Sequence, residues 1–455
     1  MFPNIININK LLIGNSFTFG NFIPYYESYL FYKNKKDITL LDLFYVCPTS
    51  TTVLNILPSI TGFLDNILGI RILTIICTIS LIISQLIIYF YMEYYLMIIA
   101  YIIYGFAGSI TYLPTLKNCW KYFPEKKGLI SGILFSSCGL SSFLFTSIGD
   151  YIINPDTLSE NEDGLYPEEV SLRYLNYLKF YIISIIVLGT LSSILSFTFQ
   201  EEMDIKEGEK LINDDEENIN DKIHTENNDE KNNNNKEKEI IIKTDNNNED
   251  NKSEEVSLKE SLFSIEFLLC FIIVGCTLLF GFLLISTYKP FEILMNLDEF
   301  GMHTLSKAYT LLNTFSRIIW GLIYDKFGFK YPYIFVCVNQ IICSSLLYFS
   351  AKNLITYFIV CCLGVLSFSG HVILFPNLIN KKFGVDNSVI LVGICGILGG
   401  ITCFLGPVLT SQIIKDNSDY LKTYIITGSA TVVSLVLTFV IKIEKMKKKI
   451  VLENN

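Results

Sequence analysis

A chain of 455 residues that is 51% hydrophobic and 14% aromatic, with a mean hydropathy of +0.43, is too apolar for a soluble globular protein. Apolar runs of about 20 residues, enough to cross a bilayer, recur from end to end, as in Ile72–Tyr91, Met97–Leu116 and Tyr420–Ile441. Because lipid leaves no backbone group unsatisfied, these runs predict an all-α polytopic membrane protein and exclude a soluble enzyme. The net charge of −9 does not describe the membrane part, since much of the acid sits in residues 201–260.

About twelve spans are predicted, near residues 11–32, 40–61, 71–92, 95–117, 128–152, 176–199, 261–287, 302–323, 331–351, 354–378, 387–413 and 420–442. The first is interrupted by Asn15, Ser16, Thr18 and Asn21 and is followed by no small-residue cleavage site, so it reads as a helix and not as a signal peptide. Glu27 follows Pro24, Tyr25 and Tyr26 toward its outer end. That carboxylate is a candidate for lining a cavity or accepting a proton, and equally for an interfacial position. The segment 201–260, with NDDEENINDKIHTENNDEKNNNNKEKE at its centre, is too polar to bury a core and reads as a disordered acidic linker. It divides the chain into an N-terminal six-helix bundle (1–200), the linker (201–260), a C-terminal six-helix bundle (261–443) and a basic tail (444–455). The loop lysines and arginines place both termini and the linker in the cytosol, although Lys33, Lys35 and Lys36 run against the rule.

The halves echo one another. After the second span comes GFLDNILGIR, with Gly62, Asp65, Asn66, Gly69 and Arg71; after the eighth comes GLIYDKFGFK, with Gly321, Asp325, Gly328 and Lys330. Further matches sit in nearly the same register: Gly105 with Gly364, Pro114 with Pro376, Gly132 with Gly393, Gly139 with Gly400. A series of this kind indicates a duplicated six-helix unit, as in transporters built from two parallel repeats.

Within the eighth span, Arg317 lies eight residues before Asp325, roughly 12 Å deep in the membrane. A charge at that depth is costly and is expected to face a cavity. Ser306, Thr310, Asn313, Arg317 and Gly321 recur on one helical face. A guanidinium suits a carboxylate because two parallel N–H groups meet its two oxygens; the structural alternative is an arginine tied to backbone carbonyls. His371 lies within a span, where titration near neutral pH would suit proton coupling and packing would suit it equally. The cysteines, such as Cys138, Cys343, Cys361 and Cys362, fall in apolar runs without metal spacing, and neither GxxxxGK[ST] nor HExxH occurs.

The doubled loop motif, the six-plus-six layout and the central linker resemble the major facilitator superfamily. The stretches WKYFPEKKGLISGILFSSCG (120–139) and SRIIWGLIYDKFG (316–328) resemble the oxalate/formate antiporter and monocarboxylate transporter group. That resemblance implies twelve helices in two pseudo-symmetric bundles. It also implies a secondary transporter moving a mono- or dicarboxylate by alternating access, coupled to a proton or a counter-anion. The expected substrate set is Arg317, Asn313, Glu27, His371 and Thr310. The chain departs from the group in having Asn313 where the proton-coupled members carry an Asp. The first-helix Lys of those members aligns loosely with Glu27, and 387–414 holds no cation. Two other readings stay open: a carrier in which Arg317 and Glu27 hold the ends of an amino acid or other zwitterion, and a non-transporting receptor signalling through the linker. At the inner end, the repeat pairs Asp325 with Lys126 or Lys127, and Asp65 with Lys381 or Lys382. The lipid bilayer is the expected environment; no cofactor, metal or nucleic acid is expected, and the chain is expected to work as a monomer.

Overall fold

The structure, a computed structural model, describes residues 8–33, 43, 45–91, 93–159, 161, 165–196, 256–295, 299–408 and 417–446. The acidic linker up to residue 255 and the last nine residues lie outside them. In chain order the helices are α1 (Ile8–Ile13), α2 (Phe19–Tyr32), α3 (Val46–Ile56), α4 (Pro58–Tyr91), α5 (Tyr94–Tyr122), α6 (Lys127–Ile153) and α7 (Glu168–Ser196). The second half holds α8 (Leu258–Leu262), α9 (Ile265–Leu294), α10 (Glu299–Phe327), α11 (Lys330–Ser350), α12 (Leu354–Phe383), α13 (Val385–Val408) and α14 (Asn417–Val440).

Nine helices among the described residues are long and apolar enough to cross a membrane. The other three expected spans fall short of that length or hydropathy for visible reasons. The first is split into α1, a 3-10 turn at Gly14–Thr18, and α2. The second is bent between α3 and α4 at Leu57–Pro58, where proline removes a backbone donor. The third, α10, carries the polar face with Arg317. Twelve spans in two halves are therefore present, and the chain is an integral, multi-pass membrane protein.

The repeated motif is not a loop, as expected from sequence, but the last turns of a helix. Residues 62–68 and 321–327 are helical, and the chain reverses only at the glycine. Gly69 has φ 72° and Gly328 has φ 70°, the left-handed region that costs an L-residue with a Cβ. A Cβ at either position would meet nothing, so backbone conformation and not space selects glycine there. The duplication is thus visible as the same turn made twice.

The halves meet along two seams. In one, α6 packs on α10, with Gly128 against the Gly321 carbonyl, Gly132 against the Arg317 backbone and Gly139 against Thr314. In the other, α13 packs on α3 and α4, with Gly393 against Pro58 and Ser59, Gly396 against Asn55, and Gly400 against Thr52 and Ile56. The sequence pairs Gly132/Gly393 and Gly139/Gly400 therefore take equivalent places, one of each pair in each seam. Small residues let helix backbones approach closely where lipid supplies no hydrophobic drive for association.

Two glycine substitutions separate the two requirements. Gly128→Val would place side-chain atoms on the Gly321 carbonyl and is expected to cost about 1–3 kcal/mol or prevent folding. Gly328→Ala is expected to cost only about 1 kcal/mol, from backbone conformation alone. Thermal unfolding in detergent measures both. An equal or larger loss for Gly328→Ala would contradict the assignment.

Candidate functional site

The broken first helix sets the site. Unwinding at Gly14–Thr18 frees carbonyls that must find donors in a medium without water. The Leu12 carbonyl accepts from the hydroxyls of Tyr104 at 2.6 Å and Tyr181 at 2.7 Å. The Leu11 carbonyl accepts from Ser141. Asn15 Oδ1 accepts from Thr18 at 2.9 Å and from Tyr177 at 2.6 Å. These bonds tie α1 to α5, α6 and α7, and so fix Lys10, which stands less than one turn before the break.

Lys10 is only 1% exposed. Its Nζ lies 4.6 Å from the Tyr112 ring centre and 5.0 Å from that of Phe135, and it donates to the Tyr112 carbonyl over 3.4 Å. Arg317 approaches the same place from α10. Its Nη1 donates to the Phe135 carbonyl at 2.5 Å, while Nε is buried with no partner. Phe135 thus offers its ring to one cation and its carbonyl to the other. Each cation lies within electrostatic reach of the other and of Cys138. Neither forms an ion pair among the described residues. Two like charges in a low-dielectric interior repel, so the arrangement favours an anion between them.

The surroundings give that anion access. On α10 the lipid-facing residues are Phe315, Ile319 and Leu322, each at least half exposed. Arg317 is partly exposed yet sits two residues, about 200° of helical rotation, from Phe315 and again from Ile319. Cys138 stands likewise two residues from exposed Leu140 on α6 and is partly exposed. Exposure on the face away from lipid means an opening between the halves.

The other expected substrate residues divide. Asn313, one turn before Arg317, accepts a 2.8 Å hydrogen bond from Ser369 of α12 through Oδ1, which leaves its amide nitrogen as a donor. Thr310, another turn away, accepts from Thr314 through its carbonyl. The side chains of Ser306 and His303 lie outside the described residues. Glu27 belongs to α2, on the far side of the break. Seventeen residues separate it from Lys10, roughly 25 Å along the helix, so it does not join the two cations. His371 is 1% exposed and stands in a different network. Its Nε2 meets Gln340 Oε1 at 2.6 Å, Gln340 donates to Thr431 at 2.7 Å and to the Thr277 carbonyl at 3.1 Å, and the imidazole packs edge-on to Tyr333. These contacts join α9, α11, α12 and α14 and are a packing role.

Lys10 was not among the residues singled out. The expected first span began one residue after it, so it read as a flank.

At the motif-bearing end, both expected pairings need correction. Asp325 meets the expected segment but not its lysines. Its carboxylate accepts from the backbone N–H of Gly128 at 2.7 Å and of Leu129 at 2.8 Å. Two convergent N–H groups at a helix N-terminus, aided by the dipole, hold a carboxylate without ordering a long side chain. Lys127 turns to Asn380 Oδ1 at 3.0 Å, and Lys126 is exposed. Asp65 pairs with Lys117 of its own half at 3.2 Å, both side chains only 8% exposed. Lys117 in turn reaches Asp386 of α13 at 3.3 Å, and exposed Lys121 reaches the same carboxylate at 3.4 Å. Lys382 donates to the Lys442 carbonyl at 2.7 Å and Lys381 is exposed. The halves are linked at this end, then, by a capped helix in one seam and an acid–base–acid chain in the other. Gly62 packs on Val389 and Ile390; the Asn66 side chain lies outside the described residues. Arg71 follows the Gly69 turn, as Lys330 follows Gly328.

Comparison with known proteins agrees with this architecture. The profile of the Major Facilitator Superfamily matches residues 11–407. An uncharacterized MFS-type transporter of Escherichia coli strain K12, YhjX, is 21% identical over 287 residues, 63% of this chain and 57% of that one. The proton:xylose symporter XylE, solved with 6-bromo-6-deoxy-D-glucose, superposes with TM-score 0.65 at 11% identity, over 97% of this chain and 96% of its own. The outward structure of FucP gives TM-score 0.63 at 12% identity, over 97% and 99%. A bacterial homologue of ferroportin, outward-facing and soaked with iron, gives 0.62 at 10%, over 96% and 98%. At these identities the structural likenesses speak for the fold. With the profile covering most of the chain, the doubled motif and the paired glycine seams have their explanation: this protein belongs to the Major Facilitator Superfamily.

Proposed function

We propose that the chain carries a small organic anion, a mono- or dicarboxylate, across its membrane by alternating access around Lys10 and Arg317. The observation that carries this reading is the meeting of two cations at Phe135, buried Lys10 and partly exposed Arg317, whose buried Nε has no partner. A carboxylate would take the free guanidinium edge with one oxygen and the Lys10 ammonium with the other, and the Asn313 amide adds a neutral donor. All three groups donate, which favours an anion over a neutral or cationic solute. The zwitterion reading loses its second charge, because Glu27 lies across the helix break. The likeness of 120–139 and 316–328 to the oxalate/formate and monocarboxylate group supports the same substrate class.

Asn313 bears on coupling. With an amide one turn from Arg317, the site offers no carboxylate among the described residues to carry a proton. Exchange against a counter-anion is the coupling its residues support. Between half-cycles the glycine seams would slide, and the motif-bearing end would open by releasing Asp325 from α6 and Asp386 from Lys117. The basic loops place that end, both termini and the linker in the cytosol.

Uptake into proteoliposomes tests the substrate class. Labelled mono- and dicarboxylates are expected to enter saturably, faster into vesicles preloaded with unlabelled anion than under a pH gradient alone. No saturable flux across a broad carboxylate panel would remove the proposal. Arg317→Lys keeps the charge but loses the fork, and is expected to lower transport on the order of 100-fold with normal insertion; near-normal affinity in Arg317→Ala would return this residue to a structural role.

The inner network gives a graded expectation. Lys117→Met leaves Asp65 buried and unpaired and is expected to cost about 3 kcal/mol. Lys121→Met removes only an exposed partner of Asp386 and is expected to cost less than about 1 kcal/mol. Thermal unfolding and turnover are both read. Equal losses for the two variants would show that the chain through Lys117 does not hold the halves together.

A further inference from the structure

A buried ammonium needs a negative partner, and Lys10 has a single 3.4 Å hydrogen bond and no ion pair among the described residues. What it does have is two aromatic faces. Tyr112 of α5 and Phe135 of α6 stand 5.2 Å apart, centre to centre, with planes inclined at 50°, and Nζ lies within 5.0 Å of both centres. Neither ring is needed to face lipid: the exposed face of α5 is Tyr95, Ile99, Ile102 and Phe106, while Phe135 is 2% exposed. Each ring carries negative charge on its face, and burial strengthens the attraction to a cation.

We propose that Tyr112 and Phe135 are the resting partner of Lys10: their π faces hold the ammonium while the site is empty and yield it to the arriving anion. The inference rests on reading Lys10 and Arg317 as the anion site. A carboxylate in this place would neutralise Lys10 firmly and shut the substrate out. A π face attracts less, so an anion displaces it, and two faces still keep the ammonium oriented between visits. Phe135 is placed to do this for one cation while its carbonyl anchors the other, which keeps Arg317 from folding onto Lys10. Tyr112 and Phe135 are therefore positioning residues, acting through Lys10.

Fluorinated phenylalanines test the idea, because fluorine drains charge from the ring face with little change of shape. The full chain would carry phenylalanine, 4-fluoro-, 3,5-difluoro- or 3,4,5-trifluorophenylalanine at position 135, and its unfolding temperature would be read without added anion. The temperature is expected to fall stepwise with fluorine number, and the slope is expected to vanish in Lys10→Met, or in Lys10→Gln should the first not fold. A flat series, or the same slope without the lysine, would overturn the proposal. Transport gives a second reading with the opposite sign from damage. Because the rings compete with the anion, fluorination is expected to lower the KM for labelled lactate or oxalate, up to roughly tenfold for the trifluoro ring; an unchanged or raised KM would count against competition. The two readings separate two failures. A lysine-dependent slope with no carboxylate flux would sink the anion proposal and leave the ring contact standing, whereas flux without a slope would do the reverse.

Discussion

Two positive charges held in a membrane interior are the constraint on which the rest depends. Lys10 and Arg317 come from opposite halves of the chain and are separated by most of its length, yet both end on Phe135. Neither would be tolerated facing lipid. Each must be carried by a helix that turns a polar face away from lipid: α10 is the expected span whose polar face lowers its hydropathy, and the first span, which carries Lys10, is broken at Gly14–Thr18.

The same constraint explains the tyrosines. Breaking helix 1 between Lys10 and Phe19 orients the lysine but leaves carbonyls without partners, and each such group costs several kcal/mol in hydrocarbon. Tyr104 and Tyr181 span that gap with long, stiff side chains whose hydroxyls meet each other at 2.7 Å and share the Leu12 carbonyl. Around them, Phe19, Tyr101, Tyr177 and Phe145 pack ring on ring. These six aromatic side chains of the first half thus gather around one helix break.

The two seams do a different job with weaker forces. Glycine contacts bring α6 to α10 and α13 to α3 closely enough for dispersion to hold them, yet no side chain interlocks across Gly128–Gly321. Such surfaces can slide. Polar contacts tie them: at the motif-bearing end a carboxylate on two backbone N–H groups and a chain of charges through Lys117, and further in Arg317 on the Phe135 carbonyl and Thr52 on the Gly400 carbonyl. A structure that must open and close is better served by a few releasable contacts than by a jigsaw core through its middle.

Several features followed from sequence alone, because local chemistry dictates them. Hydropathy marks the spans, the repeat of GFLDNILGIR as GLIYDKFGFK marks the duplication, and Arg317 marks a helix with one face that lipid does not suit. The reversals at Gly69 and Gly328 came only with the structure, since the sequence shows the glycines but not the backbone angle they take. Which residues meet across the fold was not legible. Lys10 looked like a flank because its burial comes from Tyr112 and Phe135, far away in sequence. Asp325 looked like half of a salt bridge because a backbone N–H leaves no trace in sequence, while a lysine beside it does. Glu27 looked like a partner of Arg317 because sequence does not show at what depth two helices of opposite halves bring their charges together. Sequence determined the charges and the helices that carry them; the packing of the two halves alone decided which charges share a site, since contact across the membrane interior depends on helix position and rotation and not on neighbourhood in the chain.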